Sequence, residues 1–464
     1  MNSRPRAADQ RRPDLAEYLT AIRLFSRNAR LYLAHIVGMD MIHGTWEVLF
    51  NLYLLALFSA EGHVHLFGYE LHPIEFIGLR LAVGAIAGGI GAIPAGLLSD
   101  RIGRKASFIL GDGGGAVISL LNITVANPVF LLCTPVASSV LGNLHHVAET
   151  AFMAENSEPR ERVHLFSVGR SLSTAASMLG SLVAASQPAL VAWFSDQLTA
   201  YRVASIAGIA LWFLSLIPAL LLREQPALPP SPQSLPLIPS PDRRISIGLR
   251  NIRHPVLVAK LVAVGALMSV GYGAALPFLN VFFHEHLHAE ERQIGVTFAA
   301  VSGFVAVGSL LAPMVASRFG KVDGAVLVRT LSVPFILMLA FSPEGASDAS
   351  IGLSLVGAVV AMRSVLVSLS GPLVDAFSME VLDPGERATM VGIETAASSV
   401  LRAATAVLGS AWMAGGDFQS PFVVAAGCYV ASTALLWVFF HNHAPQSAPQ
   451  TMELPEARVV PAVS

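Results

Sequence analysis

Residues 96–105 read GLLSDRIGRK. This is the first place where a long apolar run meets a tight cluster of charge. From about residue 73 to 98 the chain is almost wholly apolar or glycine, and apolar residues resume at Ala106. Two membrane-length segments are therefore joined by a very short basic turn. Asp100, Arg101, Arg104 and Lys105 belong at a membrane surface, because a charge at mid-bilayer costs roughly 2.5–3.5 kcal/mol even on lenient scales. Gly96 and Gly103 permit close backbone approach and a tight turn.

The rest of the chain extends this pattern. Its 464 residues are 54% hydrophobic and 13% charged, against about 25% charged in an ordinary soluble domain. At ~20 apolar residues per crossing, the sequence divides into segments at about 31–58, 73–98, 105–126, 128–152, 164–187, 201–222, 256–283, 293–316, 322–341, 350–376, 389–413 and 421–440. The expected fold is an all-α integral membrane protein of twelve transmembrane helices. Residues 1–30 carry seven arginines and no apolar run, too polar for a cleaved signal peptide. The loops after the second, sixth and eighth segments are basic, whereas residues 59–72 hold Glu61 and Glu70 and no Lys or Arg. The positive-inside rule then places both termini in the cytoplasm of a cytoplasmic (inner) membrane protein.

The quoted stretch resembles the loop between helices 2 and 3 of the major facilitator superfamily, G-x-L-a-D-r-x-G-r-k. Gly96, Leu98, Asp100, Arg101, Gly103, Arg104 and Lys105 match, and Ser99 stands at the small position. The resemblance implies two six-helix bundles, a small-molecule substrate between them, and alternating access. It also implies a latch at Asp100 and Arg104, for which Glu155 or Glu149 is the expected partner. One feature of drug-exporting members is missing: where they carry Arg in an R-x-x-q-G motif on helix 4, this chain reads LGNLHHVAET.

Internal repetition supports two halves independently. FMAENSEPRER, ending the fourth segment, recurs as FSMEVLDPGER, ending the tenth, so Glu155, Pro159, Glu161 and Arg162 correspond to Glu380, Pro384, Glu386 and Arg387. Gly44 and Asn51 correspond to Gly273 and Asn280, and the signature loop recurs weakly as SRFGK at 317–321. Such repeats put a substrate site near the midplane between halves. The expected organisation is a tail (1–30), a bundle (31–222), a Pro/Ser-rich linker (223–255), a second bundle (256–440) and a tail (441–464).

Intramembrane ionisable residues are the functional candidates. Asp40, His43, Glu47 and Asn51 fall within roughly 80° on one helix face. Asp40 and Glu47, with His146 as partner to Asp40, are the expected proton-coupling groups. His43, Asn51, Arg80, Tyr272, Asn280, Arg363 and Arg402 are the expected substrate-binding groups, with Arg80 beside Glu47. Arg363 and Arg402 are expected to hold one anionic group of an anionic or zwitterionic substrate. His145 and Glu149 form a second candidate pair on the fourth helix. Asp112, counted as close to the cytoplasmic surface, reads as structural. The outward clusters His63, His65, His72 and His284, His286, His288 are weak metal candidates. Cys133 and Cys428 read as packing residues. No Walker motif, enzyme triad or metal spacing is visible, so no cofactor, metal or nucleic-acid partner is expected. The chain is expected to be a monomer, and not an enzyme. The expected function is a secondary active transporter of a small organic solute, proton-coupled. The alternatives are a uniporter of the same fold, or a receptor or scaffold without transport.

Overall fold

The structure is a computed structural model that describes residues 25–157, 162–223, 252–345, 350–383 and 386–442. Most of the tails and linker, together with Pro159, Glu161 and Pro384, lie outside these residues. The helices are α1 (Arg27–Phe58), α2 (Pro73–Ile102), α3 (Arg104–Thr124), α4 (Pro128–Glu155), α5 (Arg162–Ala184), α6 (Gln197–Leu220), α7 (Pro255–Ala275), α8 (Glu291–Ser309), α9 (Lys321–Ala340), α10 (Ser350–Val381), α11 (Arg387–Ala414) and α12 (Gln419–Phe440). Short helical pieces continue α5 (Gln187–Phe194) and α8 (Ala312–Phe319). Among the described residues, 11 helices are long and apolar enough to cross a membrane, or 12 when the two pieces of α8, bent by 44°, count as one. The bend falls just before Pro313, at the start of the second piece, where proline cannot continue the hydrogen-bond ladder.

One element has no counterpart in the apolar pattern. Residues between α1 and α2 form an antiparallel hairpin, β1 (Val64–Leu66) and β2 (Tyr69–Leu71), turned at Phe67 (φ 51) and Gly68 (φ 87). It marks one end of the molecule, called the hairpin end below. The other end carries the signature loop. There Gly103 (φ 90) and its equivalent Gly320 (φ 81) turn the chain between helices in a conformation that L side chains rarely adopt.

Packing repeats across the two sets of six. In the first, α1 packs on α5 and α6, and α4 on α2 and α3. In the second, α7 packs on α11 and α12, and α10 on α8 and α9. The closest crossings are equivalent. A methyl built on Gly44 would lie 1.9 Å from Ser177 O, and one on Gly180 1.9 Å from Met41 O. In the second set, a methyl on Gly409 would lie 2.0 Å from Ala274 O, and one on Gly273 2.6 Å from Arg402 O. Between sets, α2 packs on α11 and α5 on α8.

α7 ends abruptly at Ala275. Pro277 interrupts the ladder, and the chain passes through a 3₁₀ turn and a short helical piece to a π turn at Phe282–His286. This break faces α1 and meets Asn51. All described hydrogen bonds between the two sets lie at the hairpin end. Asn51 Nδ2 donates to Pro277 O and to Asn280 Oδ1, both at 3.0 Å. Asn280 Nδ2 donates to Val48 O at 2.9 Å. Tyr201 and Gln197, at the start of α6, donate to Glu291 at 2.5 and 3.3 Å. The two sets are therefore joined at the hairpin end by polar contacts as well as by the packing of α2 on α11 and α5 on α8.

Candidate functional site

Below the Asn51–Asn280 contact lies a cavity of about 390 Å³ between the two sets. α1 supplies His43, Trp46, Glu47, Phe50 and Asn51 to its lining; α2 supplies Arg80; α7 and its broken end supply Tyr272, Pro277 and Asn280; α10 supplies Arg363. The i, i+4, i+8 spacing of His43, Glu47 and Asn51 is what turns these polar groups to one side of α1. Asp40 leaves this line: it is buried, and its Oδ1 is 3.4 Å from His43 Nδ1. The two asparagines expected to bind substrate bond to each other and form the cavity's roof.

Several expected pairings are replaced by others. Arg80 does not pair with Glu47. Its guanidinium lies 4.4 Å from the Phe50 ring centroid and donates to Leu131 O, Asn122 Oδ1 and Thr134 Oγ1 at 3.0–3.3 Å. Those acceptors on α3 and α4 satisfy it locally, so no acid is needed. His146 does not pair with Asp40; it lies on a separate, smaller cavity, 3.7 Å from Glu149. His145 bonds to Asp112 rather than to Glu149, at 2.7 Å. Asp112 is 2% exposed, held inside the first set.

The two arginines expected to act together are placed differently. Arg363, 8% exposed, lines the cavity and donates from Nη2 to the Tyr429 hydroxyl at 2.6 Å. Arg402 is not among the lining residues; its guanidinium lies 5.4 Å from the ring centroid of Tyr272, which is. Neither arginine forms an ion pair among the described residues, and the buried Nε of each lacks a hydrogen-bond partner. Tyr272 has Glu47, Arg402 and Arg363 as its charged neighbours, so acid and base meet the cavity from opposite sets.

At the signature loop, Arg104 Nη1 is 2.8 Å from Asp100 Oδ1, and its Nε is 3.5 Å from Glu155 Oε1. Arg104 also donates to Ser99 Oγ at 3.2 Å, which ties the loop to buried Ser107. Arg101 is exposed and Lys105 half-buried, while Gly96 is buried against α4 near Val147. The equivalent contact in the second set joins Lys321 to Glu380. The neighbouring Glu386 accepts from the backbone N–H groups of Arg253 and of His254, the latter at 2.7 Å. These bonds, His254 above all, hold its carboxyl below the usual carboxylate range. In the loops at the other end, His63 and His65 touch through Nε2 at 3.0 Å.

Two further buried ionisable groups lie among the described residues. His35 is fully buried on α1 against Asp112. Arg329, 5% exposed on α9, donates to Ser370 and Ser432 at 3.2 and 3.3 Å. Each is a single ionisable residue in an apolar run, and the general rule that such residues mark function would have flagged both.

Taken together, eleven or twelve membrane-length helices among the described residues, a repeated six-helix packing and a polar cavity between the repeats describe a transporter architecture. The family model of the Major Facilitator Superfamily matches residues 48–370 and 264–462, and the chain belongs to that family. Similar solved structures include the nucleoside transporter NupG in a mutant form (13% identity, TM-score 0.67, covering 89% of this chain and 100% of that one). A bacterial homologue of the iron transporter ferroportin in an inward-facing state is also similar (12%, 0.63, 89% and 98%). So is a bacterial homologue of the human lysosomal transporter Spinster, inward-facing and occupied (14%, 0.63, 91% and 96%). At these identities the likeness is one of fold. No curated protein matches the sequence.

Proposed function

We propose that this transporter carries a small organic solute with at least one anionic group, by alternating access of residues 31–222 against 256–440. The observation that carries the reading is Arg363: a buried guanidinium on the cavity lining, with an unpartnered Nε and no carboxylate beside it. A buried charge without a counter-ion is costly, and a carboxylate or phosphate on the substrate would supply the partner. Arg402, behind Tyr272, adds positive potential without touching the solute. Glu47, exposed to the cavity on the opposite side, is the proton-coupling group nearest the solute, and Asp40 acts on it through His43. The protein works as a monomer in the cytoplasmic membrane with both termini in the cytoplasm. Asp100, Arg104 and Glu155 latch the signature-loop end when the hairpin end opens.

Flux into proteoliposomes with a panel of anionic, zwitterionic, neutral and cationic solutes tests this. Arg363→Lys is expected to raise the half-saturating concentration by about tenfold or more with the melting temperature kept, because Lys cannot make the two-pronged contact. Glu47→Gln is expected to abolish accumulation driven by a pH gradient. A permanently cationic substrate moved equally well by Arg363→Ala would refute the anion site.

A further inference from the structure

The cluster behind α1 is built from four helices. Asp112 Oδ2 on α3 receives two imidazoles, His35 Nε2 from α1 at 2.9 Å and His145 Nδ1 from α4 at 2.7 Å. The far nitrogen of His35, Nδ1, lies 2.8 Å from the backbone oxygen of Ser215 on α6. The far nitrogen of His145, Nε2, lies 3.4 Å from the Tyr32 hydroxyl. His35, Asp112 and His145 are 0–2% exposed. Glycines let the helices come this close: a methyl on Gly111 would lie 2.8 Å from Leu141 O on α4, and one on Gly38 2.5 Å from Leu211 O on α6.

Counting protons around these contacts leaves little freedom. A peptide oxygen only accepts, so His35 Nδ1 carries a hydrogen toward Ser215. If His35 were neutral, its Nε2 would then turn a lone pair toward Asp112 Oδ2. That contact is attractive only if the oxygen holds a proton. The same oxygen lies 2.7 Å from His145 Nδ1, which donates to it in the tautomer whose Nε2 accepts from Tyr32. The smallest occupancy that satisfies every contact therefore places one proton between His35 and Asp112. It is written either as imidazolium with carboxylate or as imidazole with carboxylic acid. Without it, two acceptors face each other between side chains that are almost fully buried.

We propose that His35, Asp112 and His145 form a binding site for one exchangeable proton, set inside the first six-helix set and apart from the central cavity. A cavity of about 210 Å³ lined by Asp112, His145, His146, His43 and Trp46 gives the proton its route. His43 and Trp46 also line the central cavity, so the two spaces share walls. The ionisable groups facing the site are Tyr32, Asp40 and His43 on α1, and His146 and Glu149 on α4. α6 brings Ser215 and Trp212, which do not ionise. The site is distinct from the coupling role given to Asp40 and Glu47 and holds whatever the substrate is.

The test uses the purified full chain in lipid nanodiscs, with no cargo, at about pH 8.5, some two units above the ordinary imidazole value of ~6.5. Nitrogen-15 spectra of labelled histidine report doubly protonated rings, and isotope-edited infrared spectra report protonated carboxyls. The wild type is expected to keep one such proton that disappears in Asp112→Asn and persists in His146→Gln. Should Asp112→Asn fail to fold, His35→Gln serves, since its amide can donate to an ionised Asp112 and the extra proton is expected to vanish. A wild type with neither a doubly protonated ring nor a protonated carboxyl at this pH, or a variant that keeps as many of them as the wild type, overturns the proposal. So does one equivalent of zinc retained by the wild type and released by His35→Gln, which would assign the site to a divalent cation.

Discussion

The two halves solve the same packing problem with opposite charge. Asp112 and Arg329 each lie eight residues beyond the first residue of their helix (104 to 112, 321 to 329). Asp112 on α3 is held by His35, His145 and, through His35, the backbone of Ser215. Arg329 on α9 is held by the hydroxyls of Ser370 and Ser432, and Ser432 in turn donates to Val264 O on α7. At the spacings that relate the halves, Ser370 stands where His145 does and Val264 where His35 does, and Ser432 meets Val264 as Ser215 meets His35. The same four-helix junction thus carries an acid among proton donors in one half and a fixed cation among hydroxyls in the other. Only the first is built of groups that can exchange a proton, because guanidinium stays charged.

That difference can be broken by removing each charge in turn. Asp112→Leu strands His35 and His145 against an apolar side chain, and it is expected to cost about 3–5 kcal/mol, the range for breaking a buried ion pair. Arg329→Met removes a buried cation whose bonding partners are neutral, and it is expected to be close to neutral or mildly stabilising. Thermal unfolding of both variants in one detergent checks the contrast. Equal losses would mean that the two junctions are energetically alike.

The next effect should be equal in the two halves. Gly180→Ala and Gly409→Ala each drive a methyl into a facing backbone, and each is expected to lose about 1–3 kcal/mol, the usual range for overpacking. A large asymmetry in melting temperature would show that one crossing can give way.

Smaller still is Asn51→Ala, which deletes two donated bonds between the sets and is expected to weaken that contact by about 0.5–1.5 kcal/mol per bond. Faster labelling of a cysteine introduced at Ser302, on the lining of the central cavity, by a reagent added from the hairpin side would report it. Least in size is a change of slope at Glu386. Its depressed carboxyl stabilises the fold above the unfolded value of about 4.3 and ceases to do so as pH falls through the folded value. Glu386→Gln is therefore expected to lower the melting temperature at neutral pH and to flatten its decline on acidification below about pH 4.5. A parallel decline in both proteins would remove Glu386 as the cause.

The helices were legible because the bilayer demands apolar runs of a fixed length, and the signature loop was legible because its charges and glycines are contiguous. What stayed hidden lies on several helices at once. Depth counted along α3 puts Asp112 near the surface, but depth says nothing about which neighbours a residue faces. His35 and His145 reach it from 77 and 33 residues away. The Glu47–Arg80 pairing failed for a similar reason: equal depth on two helices does not fix the direction of a long side chain, and Phe50 with Asn122 offered Arg80 nearer partners. The hairpin at 64–71 was hidden because three-residue strands leave almost no alternating pattern.

The break at Pro277 bears on how readily the sets can come apart there. An unbroken α7 would have met α1 through apolar ridges, and separating such surfaces exposes them to water at about 25 cal/mol per Å². The broken end instead offers loose carbonyl and amide groups, which bond to Asn51 while closed and to water once parted. Each exchange of a protein partner for a solvent partner is nearly balanced, about 0.5–1.5 kcal/mol. At this point of the seam, parting the sets therefore costs little beyond the packing of α2 on α11 and of α5 on α8 around it.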